Sequence, residues 1–407
     1  MFFKHKKSLV SFSLLLAISI NSTLASDKGT TFGGPDSVDN TIADNKKGPQ
    51  KAFRARWAED HGFTFGLDYH ALGLTATNTL PGTDESSASG VARFYGSWNL
   101  IGRESGNTGG VVWKIEHRHA YTDTAPKDFG LGNIGMAGMA APAYSDQGGR
   151  LTNLYWKQKL SVGKTSFMVG FFDTTDYVDT YALASPWSGF SNLVFSTGAA
   201  AIGLPDDASF GIAAGHMFTD NIYGIAGITD GNADSSKPFD GFDTFFNENE
   251  YFTTAELGWT ASQDRIYTDN VHLTYWHLDG GTKNSIKDSQ GINFSVSYFA
   301  TPQIMPFIRG GFSEGDATLL SSSISAGFGY FGLGTPTNNL GFAINWGEVN
   351  EEAFGSGFDD QYIAEIYYNI AMTKHINITP DIQYVKNPAL NGEDNVWVFG
   401  IRAGISI

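Results

Sequence analysis

The chain contains no cysteine, which excludes a disulfide-stapled scaffold, thiol catalysis and any zinc site built on thiolates. Charge is scarce as well: Asp, Glu, Lys and Arg together make up 17% of the 407 residues, against about 25% in an ordinary soluble domain. Basic residues number 26 and acidic ones 42, for a net charge of −16, so the chain has no electrostatic footprint for nucleic acid. No apolar run is long enough to cross a bilayer as a helix. The shortage of charge does not signal disorder, because Phe, Trp and Tyr reach 14% of the sequence and disordered chains show the opposite balance.

The first segment reads as a targeting device. Lys4, His5, Lys6 and Lys7 precede an apolar stretch from Ser8 to Ile20, and Thr23-Leu24-Ala25 supplies small residues for a peptidase. This is the pattern of a secretory signal over residues 1–25, cleaved after Ala25. It holds three lysines and no acid, so the remainder is more acidic than the whole. Residues 26–62 read as an N-terminal periplasmic arm. Its first part, 26–48, is polar and aperiodic, and Pro49 to His61 can form one short surface helix with Pro in its first turn.

From Phe63 to Ile407 the pattern is uniform. Segments of about ten residues alternate apolar with polar or small side chains, separated by clusters of Gly, Asn, Asp and Pro. In the last segment Trp397, Phe399, Ile401, Ala403 and Ile405 alternate with Val398, Gly400, Arg402 and Gly404. About sixteen strands follow: 63–74, 91–101, 110–121, 151–161, 164–173, 209–217, 221–229, 251–261, 270–278, 290–300, 304–313, 321–331, 339–349, 361–372, 375–385 and 396–407.

The connections between them are long and short almost in strict turn. Soluble all-β folds have no reason to do this, whereas a transmembrane barrel has long outer loops and tight periplasmic turns. A bilayer core offers backbone groups no water, so strands cross it only as a closed sheet. The expected fold is therefore an all-β transmembrane antiparallel β-barrel of about sixteen strands, in one domain over 63–407, placed in the outer membrane of a Gram-negative bacterium. Sixteen strands enclose an aqueous channel.

The longest outer connection, Thr174 to Ala208, contains Tyr177, Tyr181, Leu183, Trp187, Phe190, Leu193, Val194 and Phe195 and neither Lys nor Arg. Such a loop needs a home for its apolar side chains, and the barrel interior is the nearest. It is expected to fold inward and constrict the pore. The alternation aims Arg93, Tyr95, Asn99, Lys114, Glu116, Arg118, Lys157, Lys159, Glu256, Arg309, Glu365, Asp381, Gln383 and Arg402 at the interior. A Lys or Arg facing lipid at the midplane would cost about 2–4 kcal/mol. A wall of balanced sign with Tyr and Trp nearby sorts ions poorly but offers donors, acceptors and flat faces to sugar hydroxyls and rings. On the residues alone, sugar preference and general diffusion both stay open. The outer connections are rich in Asp and Glu, as solvated tips or as divalent-cation sites shared with lipopolysaccharide.

Three stretches resemble a known family. Glu365-Ile-Tyr367-Tyr368, Ile378-Thr379-Pro380-Asp381-Ile382-Gln383-Tyr384 with Asn387-Pro388, and Phe399-Gly400-Ile401-Arg402 look like the closing strands of the OprB-like carbohydrate-selective outer-membrane porins. Gly170-Phe-Phe-Asp173-Thr-Thr-Asp176-Tyr177-Val-Asp179-Thr180 resembles the strand leading into that family's constriction loop, and Gly62 to Tyr69 resembles its first strand. The resemblance runs from about Ala52 to Ile407. It implies a passive channel preferring monosaccharides such as glucose, with an eyelet of arginines, carboxylates and aromatics. By position, Glu116, Arg118 and the loop entrance with Asp173, Asp176 and Trp187 would contribute to it, beside Arg93, Arg309, Glu365, Gln383 and Arg402 of the wall.

Other chemistry finds little support. Gly327 to Gly332 spells G-x-G-x-x-G, but inside a strand pattern with no following helix. His117 and His119 share a face with Val111, Trp113 and Ile115 and read as interfacial residues rather than metal ligands. Asp206-Asp207 and Asp359-Asp360 lie in loops without a companion base or nucleophile, so no catalytic set, cofactor or metal is expected. The implied partners are small sugars, outer-membrane lipid and lipopolysaccharide; monomer and homotrimer are both open.

Overall fold

The computed structural model describes residues 53–281 and 285–406; the signal and most of the arm lie outside them. A helix, α1 (Phe53–His61), leads into sixteen strands: β1 (Phe63–Ala76), β2 (Ser86–Ile101), β3 (Gly109–Ala120), β4 (Gly148–Leu160), β5 (Thr165–Phe172), β6 (Ser209–Met217), β7 (Ile222–Asp230), β8 (Tyr251–Thr260), β9 (Asn270–Leu278), β10 (Ser289–Ser297), β11 (Ile304–Glu314), β12 (Leu320–Phe331), β13 (Asn339–Val349), β14 (Gln361–Ala371), β15 (Ile376–Lys386) and β16 (Asn395–Ser406). Each pairs antiparallel with its sequence neighbours. The sheet closes where β1 meets β16, with Asp68 opposite Ser406 and Ala76 opposite Val398.

The two faces differ as the period of two requires. Outward positions carry Leu67, Phe94, Leu154, Ile212, Leu257, Leu273, Ile344, Ile366, Ile382 and Ile401, all exposed. Inward positions carry Asp68, Arg93, Glu116, Glu256, Arg309, Glu365, Gln383 and Arg402, all buried. An apolar exterior over a polar interior is the inverse of a soluble sandwich and matches a sheet solvated by lipid outside and water inside. Trp259 and Tyr121 also face outward, near strand ends. His117 and His119 lie on that face too, where His119 Nε2 sits 3.0 Å from the Tyr69 hydroxyl.

Strand β2 begins at Ser86, five residues before the alternation shows it. Ser87 and Ser89 face inward and are buried, and the ladders to β1 and β3 hold this serine-rich stretch extended despite its turn-like composition. The first long connection shrinks accordingly to residues 77–85. One connection breaks the alternation: residues 315–319, at the long-loop end, are fewer than the short-turn residues 332–338.

Candidate functional site

The connection between β5 and β6, residues 173–208, lies against the inner wall and is bonded to it along its length. At its entrance the Asp173 carboxylate accepts the Thr175 N–H at 2.9 Å, and Asn153 Oδ1 of β4 accepts the Asp173 N–H at 2.7 Å. Further on, Asp179 contacts Arg309 of β11 and stands 2.7 Å from His272 Nε2 of β9, while its own N–H donates to Glu256 of β8 at 3.0 Å. Asp179 holds φ at +44°, a left-handed conformation that a non-glycine residue keeps only under such constraint.

The tip of the same connection is bound by the opposite wall. The N–H groups of Ser191 and Asn192 both donate to Glu365 of β14, at 2.7 and 3.0 Å, and the Asn192 amide donates to Gln383 of β15 at 2.8 Å. Arg402 of β16 donates to the carbonyls of Pro186 and Gly189 at 2.7 and 2.6 Å. Gly329 of β12 leaves space for Leu183, whose methyl carbons would lie 3.1 Å from any added Cβ. The G-x-G-x-x-G letters are thus strand residues up to Phe331, with Gly332 opening the following turn, and Gly329 makes room for this loop.

A second connection fills the interior near the long-loop end, and the sequence reading missed it. Residues 121–147 bury Phe129, Ile134, Met136, Ala140 and Tyr144 against Leu72, Leu74, Val91, Ile363, Val396 and Val398 of the wall. Backbone groups dock it too, the Ala137 N–H donating to the Gln361 side chain at 3.0 Å. The Leu193 N–H of the first connection donates to the Met139 carbonyl at 3.0 Å, which ties the two inward connections to each other. The signal was available in composition, since Phe129, Leu131, Ile134, Met136 and Met139 are too apolar for a solvated loop. Without a period, nothing marked where they would go.

The two connections fill the side of the barrel bounded by β8–β16 and the long-loop ends of β1 and β2, and leave open space along β2–β4. Two cavities occupy it. The outer one, about 490 Å³ and open toward the long connections, is lined by Glu116, Arg118, Arg150, Asp173, Trp187 and Asp207 among others. The inner one, about 400 Å³ and nearer the short turns, is lined by Arg93, Tyr95, Asn99, Tyr155, Lys157 and Lys159 among others. Lys114 and Asp176 border both. Their charged atoms stand 4.0 Å apart, and the pair lies where the two chambers adjoin.

Opposite charges are paired along this path. Arg93 grips Asp68 through two hydrogen bonds of 2.8 and 2.7 Å and lies over the Trp187 ring at 4.1 Å. Arg118 donates to Glu116 at 2.7 Å and approaches Asp207 at 3.6 Å. Arg150 contacts Asp207 and lies 3.1 Å from Asp206. Burial, reinforced by the neighbouring Asp173 charge, pushes Asp207 up to about 7. Burial and the nearby Asp176 also raise Asp173. At Asp206 burial works in the same direction, but Arg150 and the Ser235 hydrogen bonds outweigh it and hold the group low.

The ten site residues singled out from sequence separate into two groups. Arg93, Glu116, Arg118, Asp173, Asp176 and Trp187 border the open path. Arg309, Glu365, Gln383 and Arg402 instead each bond the inward connection and are buried beneath it. Arg150 was missed because the fourth strand begins at Gly148, ahead of where the alternation starts it. Asp206 and Asp207, which look isolated in sequence, find Arg150 there. Among the described residues no group of three or more His, Asp and Glu could hold a metal ion.

Solved structures share this architecture. OprB of Pseudomonas putida in its high-pH structure superposes with a TM-score of 0.67 at 15% identity, covering 87% of this chain and 96% of that one. Its low-pH structure gives 0.51 at 14% identity, over 87% and 95%. A triple mutant of the Rhodopseudomonas blastica porin gives 0.51 at 11% identity, over 85% of this chain and 100% of that one. At such identities the likeness establishes the barrel alone. No curated protein matches the sequence. The family model of the carbohydrate-selective porins, OprB family, matches residues 52–407, the whole barrel with its inward connections, and the chain belongs to that family.

Proposed function

We propose that this passive carbohydrate channel of the Gram-negative outer membrane selects uncharged monosaccharides such as glucose at the neck formed by Lys114 and Asp176. The observation that carries the reading is the meeting of both chambers at this pair. Around it stand the Arg93–Trp187 stack and the Glu116–Arg118 pair. Paired charges present donors and acceptors of both kinds without a strong net field, which suits hydroxyls better than ions. The Tyr95 ring borders the inner chamber and supplies a face for the C–H surface of a pyranose.

Proteoliposome swelling tests this. Glucose should enter faster than an uncharged solute of similar size, and Arg118→Ala should reduce the difference while the barrel stays heat-modifiable on gels. Equal rates would assign a general diffusion porin; absence of swelling would refute a channel. The same reading includes export through a signal over residues 1–25, and outer-membrane lipid with lipopolysaccharide as surroundings. Sizing in detergent separates monomer from homotrimer.

A further inference from the structure

We propose that the inner chamber is a subsite for monosaccharides that carry an anionic group, a carboxylate or a phosphate. This rests on the channel reading above and extends it to a second substrate class. Four cations line the chamber, Arg93, Lys114, Lys157 and Lys159, against the single carboxylate of Asp176. Asp68 of β1, 2.7 Å from Arg93, adds a second acid at its edge. Even with Asp68 counted, the positive charges around this space outnumber the negative ones by two to one.

The ladder explains where the excess comes from. Lys157 stands opposite Gly110 of β3 and Met168 of β5, and Lys159 stands opposite Ser166 of β5, so the cross-strand neighbours bring no charge of their own. Both lysines present charge to the chamber from one strand face, two residues apart. The aromatic rings of Tyr95 and Tyr155 border the same space. A ring face beside two ammonium groups fits a sugar bearing one anionic substituent better than it fits a bare anion or a neutral hexose.

Access for an anion is not closed by the acidic exterior. The outer chamber sets Lys114, Lys127, Arg118 and Arg150 against Glu116, Asp173, Asp176, Asp206 and Asp207, so it is close to balance. Acids on exposed loop tips act over about 8 Å at physiological ionic strength. An anionic sugar that passes the neck meets a surplus of the opposite sign on the far side.

Current block in planar bilayers tests the proposal. Glucose, glucuronate, glucose 6-phosphate and acetate are added in turn from the short-turn side to channels of the full-length protein. Half-block by glucuronate should occur at a concentration about tenfold lower than by glucose, and raising salt from about 0.1 to about 1 M should erase most of that gap. Glucose 6-phosphate shows whether phosphate serves as well as carboxylate, and block by either anionic sugar at the lower concentration supports the subsite. The double variant Lys157→Gln, Lys159→Gln should bring the anionic sugars to the glucose value. Equal half-block by all three sugars in the natural protein overturns the subsite and leaves the channel standing. Acetate acting as strongly as glucuronate also overturns it, reducing the chamber to a plain anion field. Absence of any current overturns the channel reading itself.

Discussion

Removing the Glu365 side chain should loosen the inward connection without opening the barrel. Glu365 accepts the N–H groups of Ser191 and Asn192 and the Ser191 hydroxyl at 3.2 Å, and all three residues are buried. In Glu365→Ala the two buried amides lose their protein acceptor. An unsatisfied buried donor costs about 1–3 kcal/mol, so the docked tip loses about 2–6 kcal/mol. Glu365→Gln keeps one carbonyl oxygen but turns an N–H toward the second amide, and should fall between the two. The Arg402 bonds to Pro186 and Gly189, the Gln383 bond to Asn192 and the Asp179 contacts remain. The connection should therefore sample an undocked state rather than leave the barrel. Single-channel recording should show larger conductance or frequent steps above the natural level, graded Ala over Gln, with glucose discrimination falling in the same order. Heat-modifiability on gels checks that the barrel is closed. Unchanged conductance, noise and sugar ranking in a folded Glu365→Ala channel would refute the claim that this carboxylate holds the constriction.

Two further outcomes follow from the electrostatics and the exterior. Asp207 is raised to about 7 and Asp173 is raised as well, so both lose negative charge as pH falls from about 8 to about 5. The outer chamber then turns net positive, and reversal potentials under a salt gradient should shift toward anions; Asp207→Asn should shift the value at the alkaline end the same way and flatten the profile. Ile401 is exposed on the outward face of β16, and Ile401→Arg should cost about 2–4 kcal/mol if it lies near the midplane. Urea titration of the barrel refolded into lipid vesicles measures that loss, and an effect below about 0.5 kcal/mol would count against a lipid-facing position.

The strands were legible because a sheet with lipid on one side and water on the other writes its period into every segment. The expected and observed bounds coincide at β6, β9 and β13. The boundary errors have physical causes. Ser86 to Gly90 reads as a turn in isolation and is held extended only by its neighbours. The direction of Arg309, Glu365, Gln383 and Arg402 was legible by parity, but parity tells which side a residue faces, not what lies in front of it. Their partners are largely backbone groups of the inward connection, and a backbone amide leaves no trace in sequence. The docking of residues 121–147 escaped for a related reason. An aperiodic apolar segment announces that it is buried without saying where.

The asymmetric filling of the barrel has a consequence for how such a channel can be altered. The polar wall of the open path comes largely from β2, β3 and β4, which follow one another in the chain between Ser86 and Leu160. The remaining strands serve as a frame that grips the inward connections and seals the ring. Most of the polar wall and most of the frame thus come from different strands, while Asp173, Asp176 and Trp187 reach the path from the inward connection. Exchanging the inward-facing side chains of β2, β3 and β4 could retarget what passes while both inward connections are left as they are.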